Sequence, residues 1–478
     1  MVFSSHLFIF YFLPVTLSLY YLAPQRLRPV VLTLLSYIFY GWANPAFVLL
    51  MLFSTLVDYS MGLRIFRGHK LAQSDLAGGR TMQRRALALS IVTNLALLGY
   101  FKYANFGIDS YNSLIDTLGW SGARWDMALR ITLPLGISFY TFQSMSYTID
   151  VYRGEAKPVR NFVDFACYVS MFPQLVAGPI VRFREVATQL AGRTHTMEKF
   201  ARGATFFSLG LGKKILLANP CGHVADLCFD GGALHALDAW YGLLGYAFQI
   251  YFDFSAYSDM AIGLGLMFGF VFPKNFDSPY QSASITEFWR RWHLSLSFFL
   301  RDYLYIVLGG NRLGTARTYG NLILVMLIGG LWHGASWNFV LWGGIHGGML
   351  AFERLQGKNS VYRRLPRAGR VGLTFAIVCL AWVFFRADDL GGAGAYLGAL
   401  AGLQNGIGSA GLLAGALYQP YYVGTMVLAA FVTWTAPQTW DFTRVLTVPR
   451  VAWCGIVLLT SLAILMTQSY NPFIYFIF

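Results

Sequence analysis

Long apolar stretches recur along the whole sequence, and short polar segments separate them. Examples are VVLTLLSYIFYGWANPAFVLLMLFSTLV, ALALSIVTNLALLGYF, YGLLGYAFQIYF, LILVMLIGGLW, VGLTFAIVCLAWVFF and VAWCGIVLLTSLAILM. Within a bilayer only helices and closed barrels satisfy their own backbone groups. At about 20 residues per crossing, the pattern predicts an all-α polytopic membrane protein with roughly eleven to thirteen membrane segments, some short or re-entrant.

The composition predicts the same class. Hydrophobic residues make up 56% of the 478 residues and charged residues only 12%. One soluble core cannot bury that much apolar surface, so lipid is the expected solvent. The five cysteines are dispersed, and their spacing predicts neither a zinc site nor a disulfide framework.

The net charge of +14 is concentrated in loops. Basic residues cluster between Arg64 and Arg85 and again between Arg354 and Arg370. Basic loops of membrane proteins face the cytoplasm, where anionic lipid is their ordinary partner. We therefore expect contact with membrane lipid, no nucleic-acid partner, and a C-terminal tail on the extracytoplasmic side.

Three stretches carry more polar chemistry than helix packing requires. They are QIYFDFSAYSDMAIG, SITEFWRRWHLSLSFFLRDYLY and LIGGLWHGASWNFVLWGGIHGG. Ionisable residues at bilayer depth are costly, so a function is the default interpretation. In the third stretch, His333 is either functional or a packing residue that bonds a neighbouring helix. His346 would lie about 20 Å from it on a continuous helix, too far to share one reacting centre.

The second stretch alternates charged and aromatic residues. This pattern predicts an amphipathic segment at the cytoplasmic interface that dips inward. Headgroup contacts would explain its arginines well, but they explain His293 less well.

Taken together, these stretches resemble the membrane-bound O-acyltransferase (MBOAT) superfamily, and within it the bacterial alginate O-acetyltransferase (AlgI-type) branch. MVFSSHLFIFYFLP at the start and FPQLVAGPIVRF at Phe172–Phe183 belong to the same match, which covers nearly the full chain in order. The resemblance implies one integral membrane domain over residues 1–478. It also implies a ring of tilted helices around a thin centre, with a cytoplasmic donor tunnel and an extracytoplasmic funnel.

The resemblance implies site residues as well. The histidine of the WHG motif falls on His333, and the second catalytic position falls on His293. Acyl transfer to a hydroxyl needs a base, and neutral imidazole suits that task near pH 7. We expect His333 as the base and His293 as a positioning or electrostatic partner. Further tunnel-lining or substrate-orienting candidates are Asp253, Asp259, Arg290, Trp332 and Asn338. For the two aspartates, pairing with nearby arginines is the alternative.

The same resemblance implies acetyl-CoA as the donor substrate, with no permanently bound cofactor and no metal. It places the protein in a bacterial inner membrane and implies an extracytoplasmic SGNH-type acetyltransferase as partner. The acceptor would be an exported polysaccharide such as alginate, with peptidoglycan or cellulose as alternatives. A multipass transporter is the alternative from another class. Transporters often carry two related halves, whereas WRRWH and WHG each occur once.

The segment NPFIYFIF, residues 471–478, has no charged side chain. Its spacing, Phe473-x-Tyr475-x-x-Phe478, resembles the C-terminal acyl-transfer motif of the small membrane protein in teichoic-acid D-alanylation. Eight extended residues reach roughly 26 Å, whereas the bilayer midplane lies about 15 Å below the surface. We therefore predict an extracytoplasmic relay tail in which Tyr475 carries the acetyl group. An interfacial aromatic anchor is the alternative.

Overall fold

A computed structural model describes residues 1–74, 78–125, 129–232, 234–357, 364–403 and 410–474. Over these residues the chain is helical and forms no β-strand, so the predicted all-α class is confirmed. The chain divides into two compact units. Met1–His195 with Gly269–Phe272 form the first, and Thr196–Phe268 with Pro273–Phe478 form the second. The organisation as one domain over 1–478 with a relay tail at 471–478 stays a prediction.

The first unit is built from α-helices with short π and 3₁₀ turns at their ends. Its α-helices are α1 (Leu13–Leu22), α2 (Arg28–Gly41), α3 (Ala46–Gln73), α4 (Gly79–Leu98), α5 (Ala104–Thr117), α6 (Ile137–Arg153), α7 (Phe162–Ser170), α8 (Phe172–Leu175) and α9 (Phe183–Ala191). The π-helical turns are Leu7–Phe12 and Gly99–Tyr103, and Ser121–Ala123 is a 3₁₀ turn.

A buried carboxylate, Asp58 on α3, lies in the core of this first unit. Ser90 Oγ donates to it at 2.6 Å, and Asn94 Nδ2 donates at 2.9 and 2.8 Å. A buried charge without such partners would be costly. The bonds from α4 therefore let α3 carry a carboxylate in an otherwise apolar interior.

The second unit contains the polar stretches singled out above. Its α-helices are α10 (Met197–Gly212), α11 (Asn219–Phe229), α12 (Ala236–Met267), α13 (Ile285–Trp289), α14 (Leu294–Leu300), α15 (Thr315–His333), α16 (Trp337–Gln356), α17 (Arg367–Arg386), α18 (Leu390–Leu400), α19 (Ala410–Leu417), α20 (Pro420–Thr435), α21 (Thr439–Phe442) and α22 (Val448–Leu465). Lys213–Ala218 and Arg301–Tyr305 are π-helical, and Pro279–Gln281 is a 3₁₀ turn.

Four helical stretches of the described chain are long and apolar enough to cross a membrane. They are Ala46–Gln73, Gly79–Thr117, Arg367–Arg386 and Val448–Leu465. The last two confirm the helices expected in VGLTFAIVCLAWVFF and VAWCGIVLLTSLAILM. The remaining crossings of the predicted eleven to thirteen stay a prediction. These helices indicate an integral membrane protein.

Helix α12 forms the centre of the second unit and contacts α10, α11, α17 and α18. From Gly245 to Met267 every residue except Asp259 is buried. Glycines allow its close approach to α10, since a Cβ on Gly203 would lie 2.5 Å from the carbonyl oxygen of Gly263. Small residues at such crossings are typical of helices packed in membranes. Side chains on α12 therefore project into the interior.

The stretch SITEFWRRWHLSLSFFLRDYLY, for which the charge pattern predicts an amphipathic segment, is interrupted by a turn of the backbone. α13 and α14 are separated by His293, whose backbone is left-handed with φ 45° and ψ 55°. The break is held by a hydrogen bond from Leu294 N to Asn275 O at 2.9 Å. The segment therefore turns its aromatic side chains into the interior, where Phe288, Trp292 and Phe299 are buried.

The stretch LIGGLWHGASWNFVLWGGIHGG is also interrupted. The backbone is extended at Gly334 and Ser336, between the end of α15 and the start of α16. α16 then packs back along α15, and a Cβ on Gly343 would collide with the carbonyl oxygen of Met326. The two halves of this stretch form a helical hairpin, so the continuous helix assumed in the sequence analysis is wrong.

Candidate active site

The two predicted catalytic histidines lie together inside the second unit. The ring centroids of His293 and His333 are 6.3 Å apart, and their exposed fractions are 0% and 6%. Trp332 is also brought to this place, with its ring 6.0 Å from His293 and 5.1 Å from His333. The left-handed turn at His293 and the end of α15 at His333 are what bring the two rings together.

Asn275 determines which nitrogen of His293 carries the proton. Asn275 Oδ1 accepts a hydrogen bond from the backbone N–H of Ser295 at 3.2 Å, so this atom is an acceptor. The same oxygen lies 3.2 Å from His293 Nδ1, which must therefore be the donor. In the neutral ring, Nε2 is then an acceptor. It has no hydrogen-bond partner among the described residues, so it is available to a hydroxyl group.

His333 lies in apolar surroundings. The rings of Trp342 and Phe385 each lie 5.3 Å from its ring in edge-to-face geometry. It also lines a cavity of about 10 Å³, which is about the size of one water molecule. The other lining residues are Ile250, Phe254, Trp292, Trp382, Phe385 and Ile474.

His346 is closer to this cluster than a continuous helix predicts. Its ring lies 4.8 Å from Trp342, which also contacts His333. Its Nδ1 accepts a hydrogen bond from Trp289 Nε1 at 3.3 Å. The estimated separation of about 20 Å along a helix was wrong because the hairpin reverses the chain. The geometry nevertheless makes His346 a hydrogen-bonded packing residue.

The aspartates of α12 pair with lysines and not with arginines, contrary to the alternative weighed from the sequence. Lys214 Nζ lies 2.7 Å from Asp253, and Lys213 Nζ lies 2.7 Å from Asp259. Both lysines belong to the π-helical segment that follows α10, and such wide turns are frequent at functional sites. The Lys214–Asp253 pair is almost fully buried, with exposed fractions of 3% and 1%.

Arg290 and Asn338 are not brought to the histidine pair in the same way. Arg290 is exposed. Asn338 is buried, and its Nδ2 donates to the carbonyl oxygen of Ala387 at 2.6 Å, which links the start of α16 to the end of α17. Their role as substrate-orienting residues stays a prediction. Among the described residues, no group of three or more His, Cys, Asp or Glu side chains could hold a metal ion.

The C-terminal segment runs into this interior. Phe473 and Ile474 are buried, and Ile474 lines the same cavity as His333. Ile474 N donates to Asp253 Oδ2 at 2.9 Å, and the Phe473 ring lies 4.8 Å from Tyr257. Tyr475 lies outside the described residues.

Further polar contacts anchor the chain just before this segment. The Tyr470 hydroxyl donates to Asp226, and Arg386 pairs with the same carboxylate at 2.9 Å. Burial, and next the hydrogen bond to Asp226, raise the pKa of the Tyr470 phenol. The phenol therefore remains a hydrogen-bond donor at neutral pH.

A larger cleft of about 470 Å³ lies beside this anchored part of the tail. Its walls are aromatic and amide side chains, hydroxyl groups and a few aliphatic positions. They belong to Asn219, Pro220, His223, Tyr421, Tyr422, Ile464, Thr467, Gln468, Ser469 and Tyr470.

Sequence reasoning missed Asn275, Lys214 and Asp226. Lys214 could have been found from the sequence. The lysine pair in LGKKILLANP stands next to an apolar run, and a lysine at bilayer depth needs a partner. Asn275 had no such signal, since a single amide in a loop is an ordinary turn residue. Its contact with His293 exists only in the folded chain.

Comparisons with known proteins agree with this picture. The sequence model of the MBOAT, membrane-bound O-acyltransferase family, matches residues 34–386. The probable alginate O-acetylase of Azotobacter vinelandii is 51% identical over 391 residues, 82% of this chain and 76% of that protein. The probable alginate O-acetylase of Pseudomonas putida is 44% identical over 100% of both chains. The peptidoglycan O-acetyltransferase of Helicobacter pylori is 38% identical over 442 residues, 85% of this chain and 81% of that protein.

Proposed function

Because the chain belongs to the membrane-bound O-acyltransferase family, we propose that it moves acetyl groups from cytoplasmic acetyl-CoA across a bacterial inner membrane. The acetyl groups would O-acetylate an exported polysaccharide such as alginate. The observation that carries the proposal is the pair of buried histidines, His293 and His333, in an integral membrane protein that resembles probable alginate O-acetylases over its full length.

The histidine pair supports the following chemistry. His333 removes the proton from an acceptor hydroxyl while that oxygen bonds to the acetyl carbon. His293, whose ring lies 6.3 Å from that of His333, acts beside it as a positioning or electrostatic partner. The carbon–sulfur bond of the thioester then breaks, and the proton passes from His333 to the leaving CoA sulfur. Apolar walls around His333 exclude water, which would otherwise hydrolyse the thioester.

We further propose that the first acceptor is Tyr475. The support is the path of the tail, since Ile474 lines the His333 cavity and Tyr475 is the next residue, about 3.8 Å further along the chain. A phenol with a pKa of about 10 is far more acidic than an aliphatic alcohol, so its acetyl ester is a good onward donor. The tyrosine would thus carry the acetyl group from the cavity to a second acceptor.

A partner completes the proposed route. We expect an extracytoplasmic acetyltransferase of the SGNH type to take the acetyl group from Tyr475 and to select the sugar hydroxyl. The cleft of about 470 Å³ beside the tail offers an approach for such a partner. Similarity to the Helicobacter pylori peptidoglycan O-acetyltransferase keeps peptidoglycan open as the acceptor, and cellulose remains a further alternative.

Gene deletion tests the proposed function and its acceptor together. Ester-linked acetate is released by mild base from separated exopolysaccharide and peptidoglycan fractions of wild-type, deleted and complemented strains. We expect the acetate of the exopolysaccharide to disappear on deletion and to return on complementation. A loss confined to peptidoglycan would transfer the proposal to that acceptor, and no change in any polymer would reject it.

A further inference from the structure

The ion pair between Lys214 and Asp253 is deeply buried. Both side chains are almost inaccessible, with exposed fractions of 3% and 1%. Burying an ion pair costs solvation energy that its mutual attraction often fails to recover, and an apolar pair of similar volume is frequently as stable. At membrane depth, such residues are a hypothesis of function.

Each member of the pair also binds the main chain of the C-terminal segment. Lys214 Nζ donates to the carbonyl oxygen of Pro472. Asp253 Oδ2 accepts from the N–H of Ile474 at 2.9 Å. The pair therefore offers one donor and one acceptor to two backbone groups that lie two residues apart.

The adjacent ion pair shows that this arrangement is specific. Lys213 lies one residue before Lys214 on the π-helical segment, and Asp259 lies six residues after Asp253 on α12; the two are also 2.7 Å apart. The second partner of Asp259 is the hydroxyl of Thr439, at 2.7 Å. Two similar pairs thus join α12 to the π-helical segment, and one of them holds the tail while the other holds α21.

Hydrogen bonds to residues 468, 470 and 471 hold the chain just before the segment 472–474. Asn219 Nδ2 lies 3.3 Å from each of three acceptors: Gln468 Oε1, Tyr470 O and Asn471 Oδ1. Together with the hydrogen bond from Tyr470 to Asp226, these contacts hold the chain before Pro472. The ion pair then binds the chain at Pro472 and Ile474, and Ile474 lines the His333 cavity.

We infer that Lys214 and Asp253 form a binding site for the main chain of residues 472–474, and that this site sets the register in which residue 475 is presented to His333. They are positioning residues, since they act through the tail. Both hydrogen bonds go to the main chain, at Pro472 O and Ile474 N. The effect on activity rests on the proposed relay through Tyr475, whereas tail binding can be measured without it.

Hydrogen–deuterium exchange of the full-length protein in detergent tests the site directly. The double variant Lys214→Met with Asp253→Leu removes both charges together, so no unpaired buried charge remains. The matched control is Lys213→Met with Asp259→Leu. Exchange is followed by mass spectrometry on a peptide that starts at or before Tyr470 and contains the Ile474 amide, and thermal unfolding confirms that each variant is folded.

We expect the Ile474 amide to exchange about tenfold faster or more in the Lys214/Asp253 variant, because a hydrogen bond to a charged acceptor stabilises the closed state by that factor. The Lys213/Asp259 control should exchange within about twofold of the wild type. Lys214→Met with Asp253→Asn also removes both charges, keeps the size of the Asp253 side chain and serves if the first double variant does not fold; its exchange should rise in the same direction. Equal exchange in wild type and folded Lys214/Asp253 variants would overturn the inference.

Acetylation of Tyr475 separates this inference from the proposed function. Intact-tail mass spectrometry is run on wild type and on the Lys214/Asp253 variant after incubation with acetyl-CoA, without a partner protein. Acetyl on wild-type Tyr475 that falls about tenfold in the variant supports both proposals. Faster exchange in the variant with no acetyl on wild-type Tyr475 keeps the tail site and rejects the relay. Acetylated Tyr475 with unchanged exchange keeps the relay and rejects the tail site.

Discussion

A single amide orients one of the two histidines at the residue scale. Asn275 Oδ1 accepts from Ser295 N, Ser295 Oγ and His293 Nδ1, at 3.2, 2.9 and 3.2 Å. These bonds fix both the tautomer and the direction of His293 Nε2. His293 in turn holds a positive φ of 45°, which is uncommon outside glycine and asparagine. The orientation of the His293 ring therefore depends on Asn275 and on the backbone turn as well as on the histidine itself.

Replacing Asn275 tests this orientation. In Asn275→Ala, the His293 ring loses its fixed tautomer, and we expect kcat to fall about tenfold with KM nearly unchanged, the cost of one hydrogen bond of about 1.4 kcal/mol. Asn275→Asp keeps an acceptor for all three donors and should restore most of kcat. Steady-state kinetics of acetyl-CoA consumption measure both values. A change in KM alone would assign Asn275 to substrate binding instead.

Loss of the proposed base should be more severe. His333→Ala should reduce polymer acetylation by at least about 100-fold, since a positioned general base contributes 10² to 10⁴ in rate. His346→Asn is the control, because it replaces a buried histidine of the same cluster and keeps an acceptor near the Trp289 indole. Acetylation is compared at matched membrane abundance. Activity of His333→Ala equal to that of wild type would remove this residue from the mechanism.

Residue-scale prediction from the sequence succeeded where a motif stood in the chain itself. WRRWH and WHG indicated His293 and His333, and the structure brings the two rings together. The aspartates of α12 were noticed, but their lysine partners were not, because an ion pair between two helices depends on how the helices pack. Asn275 was missed for the same reason.

Two interruptions decide the shape of the site at the element scale. α13 gives way to α14 at His293, and α15 gives way to α16 at Gly334–Ser336. Neither was predicted, since apolar and aromatic residues continue through both breaks and hydrophobic patterning cannot distinguish one helix from two. The sequence did predict α17 and α22 to within a few residues, because polar segments flank both of them.

The packing of α16 on α15 can be tested at Gly343. A Cβ there would collide with the Met326 carbonyl, so Gly343→Ala should lower the free energy of unfolding by about 1 to 3 kcal/mol. It should also reduce activity by displacing His333 at the end of α15. The matched control is Gly348→Ala on the same helix, where a Cβ meets nothing within 4 Å.

The Gly348→Ala control should not lower the free energy of unfolding. Alanine is favoured over glycine in a helix by roughly 0.5 to 1 kcal/mol, so Gly348→Ala should leave stability unchanged or higher. Thermal unfolding in detergent compares the two variants. Equal stability of Gly343→Ala and Gly348→Ala would contradict the close approach of α15 and α16.

At the scale of the whole molecule, the composition determines the class of protein, and the position of the tail determines the proposed route of the acetyl group. Composition was sufficient to predict an all-α membrane protein, because 56% hydrophobic residues demand a lipid solvent. The sequence predicted how far the tail could reach, but not the course of residues 470–474. That course depends on hydrogen bonds between the main chain of the tail and the side chains of Lys214 and Asp253, and such bonds leave no pattern in the sequence. The Pseudomonas putida relative, which matches the full chain, agrees with an O-acyltransferase.

At this scale, the proposed route requires a second protein. Purified wild-type protein with acetyl-CoA should acetylate polysaccharide at less than about one hundredth of the rate reached with the partner acetyltransferase, because the acceptor hydroxyl is positioned by that partner. Polymer-bound acetate is measured with and without the partner. A normal rate from the purified protein alone would contradict the partner proposal.

The central claim is that the acetyl group passes through the tail, and trapping it on Tyr475 tests this most directly. Membranes that contain the protein and a partner without its nucleophile are supplied with acetyl-CoA, and the C-terminal peptide is analysed by mass spectrometry. The account predicts an acetyl ester on Tyr475 and, with an intact partner, at least about 100-fold less polymer acetylation by Tyr475→Phe, which lacks only the hydroxyl. An unmodified Tyr475, together with near-normal polymer acetylation by Tyr475→Phe, would contradict it and leave the tail as an aromatic anchor.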